Sequence, residues 1–259
     1  MPDPQVQTTA IAPSPALRPY VRQFMVIENF ANRSNTLLPE AAILAGFRFR
    51  GECSQDGSNA LCAVVTGLRD KPRMLTHSSG SATIVAMFTA NGAAALLREP
   101  PEELFNATLP IEFQVGRSQL GVIEEQLAEA PNHIQRAQVL ERFLLGQLRG
   151  RAADRVVAAA VSCIRESRGR MRIDDLARRA GLSQSALERR FRREVGASPK
   201  KFAGIVRLRH VVRLRQTGAS LTEIAYSAGY ADQSHFIKDF KRFAGQAPEP
   251  FFQSERAFC

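Results

Sequence analysis

The sequence predicts an α+β protein in two parts: a small antiparallel β-barrel with helices, then an all-α domain of two helix-turn-helix units joined by a long helix. Three observations predict it. Short apolar runs separated by turn-rich pieces fill the chain from Leu17 to about Ser118. The texture then changes to helical periodicity, and a glycine turn followed by a polar cap and a helix occurs twice in the second half. A length of 259 residues, 44% of them hydrophobic, suits two such domains.

Charge divides the chain in the same place. Residues 1–150 carry 13 Lys and Arg against 14 Asp and Glu, whereas residues 151–259 carry 22 against 11, so the second half holds the whole excess of +10. That is the footprint of a domain that meets a polyanion, although a charge run by itself is equally a solvated surface. The four cysteines, Cys53, Cys62, Cys163 and Cys259, have no metal-ligand spacing and are too sparse for a disulfide scaffold. They read as reduced thiols in a cytoplasmic protein. No signal peptide and no run near the roughly 18 apolar residues of a membrane span is present, which argues against a membrane partner.

Taken in order, residues 1–16 are rich in Pro, Thr and Gln and are expected to be disordered. Residues 17–150 form the expected effector or dimerisation domain. Its strands are expected at Gln23–Glu28, Ala41–Phe49, Leu61–Thr66 and Ala82–Phe88, with turns at 51–59 and 76–81. Phe47, Arg48, Phe49 and Arg50 alternate, so that strand has one wet face. Short helices are expected at Ala93–Arg98 and Glu102–Phe105, longer ones at Ser118–Ala130 and Asn132–Leu148. The last carries an apolar stripe through Ile134, Val139, Leu140, Phe143, Leu144 and Leu148, which can pack on its own barrel or on another subunit. LRGRAAD at 148–154 marks the boundary.

The domain at 151–259 opens with an apolar helix from Asp154 to Arg165. A short helix over Asp174–Ala180 follows, then a turn at Gly181, where glycine can take positive φ, and a helix capped by Ser183. Leu176, Leu182, Leu187 and Phe191 are its expected buried set. Ser198 caps a long helix, Pro199 suits its first position and Gly218 ends it. At 1.5 Å per residue that helix is roughly 27 Å long, suited to holding two reading units about one DNA turn apart. The second unit repeats the first: Leu187 and Phe191 recur 49 residues later as Phe236 and Phe240. Ser220 and Glu223 form a capping box, and Asp232 caps a helix on which Gln233, Ser234, His235 and Lys238 face away from the two phenylalanines.

IDDLARRAGLSQSALERRFRREVGASPKKF and LTEIAYSAGYADQSHFIKDFKRFAG make residues 155–252 similar to the DNA-binding domain of the AraC/XylS family of bacterial transcription regulators. The resemblance implies two helix-turn-helix units that enter successive major-groove segments of double-stranded DNA. It places base-reading positions on Ser185, Glu188 and Arg189 in the first unit, and on Gln233, Ser234, His235 and Lys238 in the second. Glu188 has a second role open to it, orienting Arg189 or Arg192 by ion pairing. Arg190, Arg192, Arg193 and Lys241 are backbone clamps or solvated charges. The chain departs from the family at its end, where Pro248-Glu249-Pro250-Phe251-Phe252 lacks the usual Tyr-Arg.

PALRPYVRQFMVIEN, VVTGLRDKPRML and FTANGAAALLREPPEELFNATLP resemble the cupin-like, barrel-type effector domain of an uncharacterised subgroup of these regulators. That resemblance implies a small-molecule or protein effector, RNA polymerase as a partner of an activator, and a homodimer through the domain's last helices; a filled structural barrel is the bland alternative. No cofactor is implied. The rival class is an enzyme fused to a DNA-binding domain. A barrel oxygenase needs two His and a carboxylate on a metal, yet only His77 lies among the expected strands; His133 and His210 fall on helices. An alkyltransferase needs a Cys activated by a His, and neither Cys53 nor Cys62 has one nearby in sequence.

Overall fold

The computed structural model describes residues 5–90, 92–150 and 154–253. Its N-terminal strands are β1 (Val6–Ile11), β2 (Val21–Asn29), β3 (Arg33–Leu37), β4 (Leu44–Arg50) and β5 (Cys53–Gln55). Then come β6 (Ser58–Asn59), β7 (Ala63–Thr66), β8 (Arg73–His77), β9 (Ala82–Phe88) and β10 (Thr108–Pro110). They pair as two sheets, β1-β2-β9-β4-β7-β10 and β3-β8-β5-β6, antiparallel throughout. Among the described residues no ladder joins one sheet to the other, so the expected barrel is an open pair of sheets.

The period of two along each strand decides what each face does. On β9, Ile84, Ala86 and Phe88 are buried, while Thr83, Val85 and Met87 line a cavity between the sheets. On β4, Ala45 and Phe47 are buried, and Gly46 and Arg48 face that cavity. The wet face read from the Phe-Arg alternation is therefore the inner wall of a chamber. Helices α3 (Arg117–Glu129) and α4 (His133–Gln147) lie on this domain's own large sheet. The Phe143 ring meets Phe47 edge-on with centroids 5.9 Å apart. Burying large side chains of this kind stabilises the layer by about 1.5–3 kcal/mol each. Before them come α1 (Gly92–Leu96), a 3-10 turn at Pro101–Leu104 and α2 (Glu112–Val115).

The expectation of disorder through residue 16 is corrected. Val6–Ile11 pairs in register with β2, from Val6 opposite Asn29 to Ile11 opposite Phe24. The backbone groups on the outer edge of β2 would otherwise lack a ladder partner, and that pairing outweighs the polar composition of the segment. Residues 1–4 lie outside the described residues, as do Arg151–Ala153 at the expected boundary and Cys259.

The C-terminal half is helical: α5 (Arg155–Glu166), α6 (Ile173–Arg179), α7 (Gln184–Val195), α8 (Pro199–Gln216), α9 (Leu221–Ser227), α10 (Gln233–Ala244) and α11 (Pro248–Gln253). Helix α8 is the axle. Phe202 packs edge-on against Phe191 of α7, with centroids 5.5 Å apart, and Gly204 lets the Phe243 ring of α10 approach the α8 backbone. In place of the Tyr-Arg, Phe251 and Phe252 of α11 both stack on Phe240, 5.3 Å away, and close the apolar end of the second unit.

Candidate nucleic-acid interface

The two units share one local design. Each first helix ends on a glycine of positive φ, Gly181 at 64° and Gly229 at 75°. Around each, the same pair of bonds closes the helix: Leu182 N–H donates to Ala177 and Gly181 N–H to Arg178, while Tyr230 N–H donates to Ala225 and Gly229 N–H to Tyr226. These are Schellman ends, in which glycine avoids the penalty that a Cβ meets in the left-handed region. The next helix is capped from outside: Ser183 Oγ accepts from Ala186 N–H at 3.2 Å, and Asp232 Oδ1 from His235 N–H at 2.7 Å. The Ser220–Glu223 capping box opens α9. Leu176, Leu187 and Phe191 in one unit and Ile224, Phe236 and Phe240 in the other are at most 2% exposed. Leu182, placed in the buried set by sequence, is only half-buried.

With those faces fixed inward, the opposite faces are left to solvent. Ser185, Arg189, Arg192 and Arg193 on α7 are exposed, as are Gln233, Ser234, His235, Lys238 and Lys241 on α10; Glu188 is half-buried. Glu188 stands 3.5 Å from Arg192, one helical turn on, so its carboxylate holds that guanidinium. Arg193 is paired with the buried Glu194 at 3.5 Å. Arg190 is half-buried and engaged, its Nε and Nη2 bonding the two carboxylate oxygens of Asp154 at 2.9 and 3.0 Å. Among the described residues Arg189 makes no ion pair, which leaves its fork of donors available. His235 packs edge-on against Tyr230, 5.3 Å between centroids. The Tyr230 hydroxyl donates to Asp239 at 3.0 Å, and burial together with that carboxylate pushes its pKa up.

The family model described as "Helix-turn-helix domain" matches residues 176–254, and a second, described as "Domain of unknown function (DUF6597)", matches residues 9–110. An AraC-like transcription regulator of Streptomyces lividans is 36% identical over 118 residues, 45% of this chain and 38% of its own. Residues 176–254 are a helix-turn-helix domain. The transcriptional activator RhaS of Escherichia coli is 33% identical over 88 residues, 33% of this chain and 31% of its own. This chain thus spans well under half the length of those relatives. The ToxT structure from Vibrio cholerae is similar over 95% of this chain and 97% of its own, at 13% identity and a TM-score of 0.49.

The helix-turn-helix domain is docked on the N-terminal sheets. Arg165 Nη2 donates to the Ala41 carbonyl at 2.6 Å, Arg209 pairs with Glu40 at 3.0 Å, and Lys201 pairs with Asp70 at 2.8 Å. Burial pulls the Asp70 carboxyl upward, but bonds from Lys201 and Asn106 outweigh it and hold its pKa below the usual value. Between the sheets and this domain lies a cavity of about 940 Å³. Strand residues Asn35, Arg48, Arg73 and His77 line it, and so does Val206 of α8. Arg48 and His77 were visible in the sequence as a wet-face residue and a lone strand histidine; Arg69, Arg73 and Asn35 were not. Of the histidines placed on helices, His133 pairs with Glu28 at 3.1 Å and His210 is buried beside Arg168.

Proposed function

We propose that this chain is a sequence-specific DNA-binding transcriptional regulator whose α7 and α10 read successive major-groove segments. The observation that carries it is the duplicated unit: two helices of like build, each with a dry face locked inward and a polar face uncovered, set on one rigid helix. Arg189 donates bidentately to guanine, Gln233 reads adenine, and Ser185, Ser234, His235 and Lys238 supply the remaining base contacts. Glu188 contributes by fixing Arg192, and Arg192, Arg193 and Lys241 hold phosphates. The two faces differ in composition, so the site is asymmetric.

The N-terminal domain is the regulatory part, with a small molecule as effector. RNA polymerase and a second copy of the chain are the protein partners this reading carries, and the cytoplasm is where it works. Among the described residues no helix is long and apolar enough to cross a membrane. Selection of bound duplexes from a random pool tests the reading. The expected result is one asymmetric consensus with two blocks about 10–10.5 bp apart. Equal affinity for selected and scrambled duplexes at matched salt overturns it.

A further inference from the structure

The cavity between the sheets is strongly cationic for a space with apolar walls. Nine Lys and Arg line it against two acids, Glu40 and Glu166, and Glu40 is already held by Arg209. Apolar side chains such as Met25, Ile27, Leu75 and Val85 provide the rest of the wall. At one end two guanidiniums converge: Arg73 Nη1 lies 3.4 Å from Thr66 Oγ1 and 3.5 Å from Thr108 Oγ1, and Arg69 Nη1 lies 3.5 Å from the same Thr108 oxygen. Gln55 completes the end, accepting from Arg73 at 3.1 Å. All these partners are neutral. The carboxylate that bears on Arg73, Asp56, is itself bonded by Met74 N–H. Burial, with Arg69 alongside, lowers the Arg73 pKa to about 10, so it stays charged at neutral pH.

Among the described residues, three side-chain atoms of residues that line this cavity are shielded from solvent and have no hydrogen-bond partner: Arg69 Nε, Asn35 Oδ1 and His77 Nδ1. Buried polar groups are otherwise almost always bonded, and a buried charge without a counter-charge is costly. His77 lies on the same face of β8 as Arg73 and four residues beyond it, about 13 Å along the strand. Burial and the positive charges of Arg33, Arg48 and Arg73 lower its pKa, so its ring is neutral and offers one donor and one acceptor.

We infer that this cavity binds an elongated organic acid, its oxyanion on Arg69 and Arg73, its apolar body along the strand faces, and a hydroxyl at the far end, beside Asn35 and His77. The inference rests on the reading of the N-terminal domain as regulatory and names the class of its effector. Carboxylate and phosphate share the required chemistry, since a guanidinium fork binds either in two-point fashion.

The test is calorimetric titration of the full chain with 6-hydroxy-2-naphthoate, its uncharged methyl ester, 2-naphthoate and 2-naphthyl phosphate. The hydroxy acid is expected to bind at least tenfold more tightly than its ester, and more tightly than 2-naphthoate. Arg73→Gln and, separately, Arg69→Gln should each remove the preference for the acid while leaving the ester unaffected, with thermal melting showing that both variants fold. If the phosphate outbinds 2-naphthoate, the natural ligand is phosphorylated; the reverse order makes it a carboxylic acid. Binding of the ester as tightly as the acid, no binding by any anion, or an unchanged preference in both variants overturns the inference. Fluorescence anisotropy on a selected duplex, with and without the hydroxy acid, separates the two readings. Intact acid binding with unchanged DNA affinity removes the regulatory role and leaves the site.

Discussion

Arg189 and Arg190 are neighbours on α7 with opposite fates. Arg190 is half-buried and pairs with the carboxylate that also caps α5, whereas Arg189 is exposed and makes no ion pair among the described residues. A bidentate guanine contact discriminates by about 1–3 kcal/mol, so Arg189→Ala should cost that much on the selected duplex and relax choice at one base pair. Competition binding on duplexes substituted at each position measures it, and an equal loss on scrambled DNA would make Arg189 a phosphate contact. Asp154 does structural work instead. Burial pushes its carboxyl up, but bonds from Arg190 and from the N–H groups of Val157 and Val156 prevail and hold its pKa below the ordinary value. A depressed carboxyl stabilises the fold above its unfolded pKa, near 4, and that contribution is lost as pH falls through the lower folded value. Removing the cap by Asp154→Ala should therefore cost about 1–2 kcal/mol at pH 7. Urea midpoints at pH 7 and at progressively lower pH should show the gap between wild type and variant closing as the acid range is entered.

At the level of elements, the bend between α5 and α6 shows how closely α8 is gripped. Gly169 has φ 76°, and a Cβ there would sit 2.2 Å from the Ala203 carbonyl oxygen on α8. Backbone cannot yield as a side-chain tip can, so Gly169→Ala combines left-handed strain with overpacking and should destabilise the helix-turn-helix domain by about 2 kcal/mol or more. Chemical denaturation reads it directly. The helices from α5 to α10 were legible in the sequence to within a residue or two, because Ser183, Ser198, Ser220 and Asp232 are strong caps and Gly181, Gly196 and Gly229 end the helices before them, whereas α11, Pro248–Gln253, was not read as a helix. Strands β3 and β8, RSNTL and RMLTH, were not. Their inward residues line a wet chamber, so the alternation of apolar and polar residues that marks a half-buried strand is absent. The same physics hid the cavity's cationic end. Arg69, Arg73 and Thr108 come from separate stretches, brought together by sheet pairing with no local spacing to announce them. The exposed polar faces of α7 and α10 were legible because helical period alone assigns them opposite the phenylalanines. The polar ring departure at Phe251 and Phe252 was visible as a difference, but its role as an apolar cover on Phe240 needed the packing.

For the whole molecule, the first unit is pinned to the N-terminal domain by close backbone packing and an ion pair, whereas the second is joined to it through α8 and meets that domain where Gly245, at the end of α10, lies beside Pro72. Gly196, at the end of α7, packs so closely on the N-terminal domain that a Cβ would lie 2.5 Å from the Pro101 carbonyl oxygen, and Lys201, on the first turn of α8, bonds Asp70. From there α8 sets the reach to the second unit, about 27 Å of continuous helix with both units packed on it. A rigid spacer fixes phase as well as distance. Inserting 5 bp between the two blocks of the selected site turns the second block to the far side of the duplex, where α10 cannot follow. Affinity should then fall to that of one unit, a loss of about 100-fold or more, since linked sites gain at least that much from acting together. Inserting 10 bp restores the phase but adds roughly 34 Å, more than the length of α8, and should not restore affinity. Footprinting on the three duplexes distinguishes this geometry from its main rival. Recovery at 10 bp would mean that the blocks are read by flexibly joined units or by two chains, and the single rigid reader would be wrong.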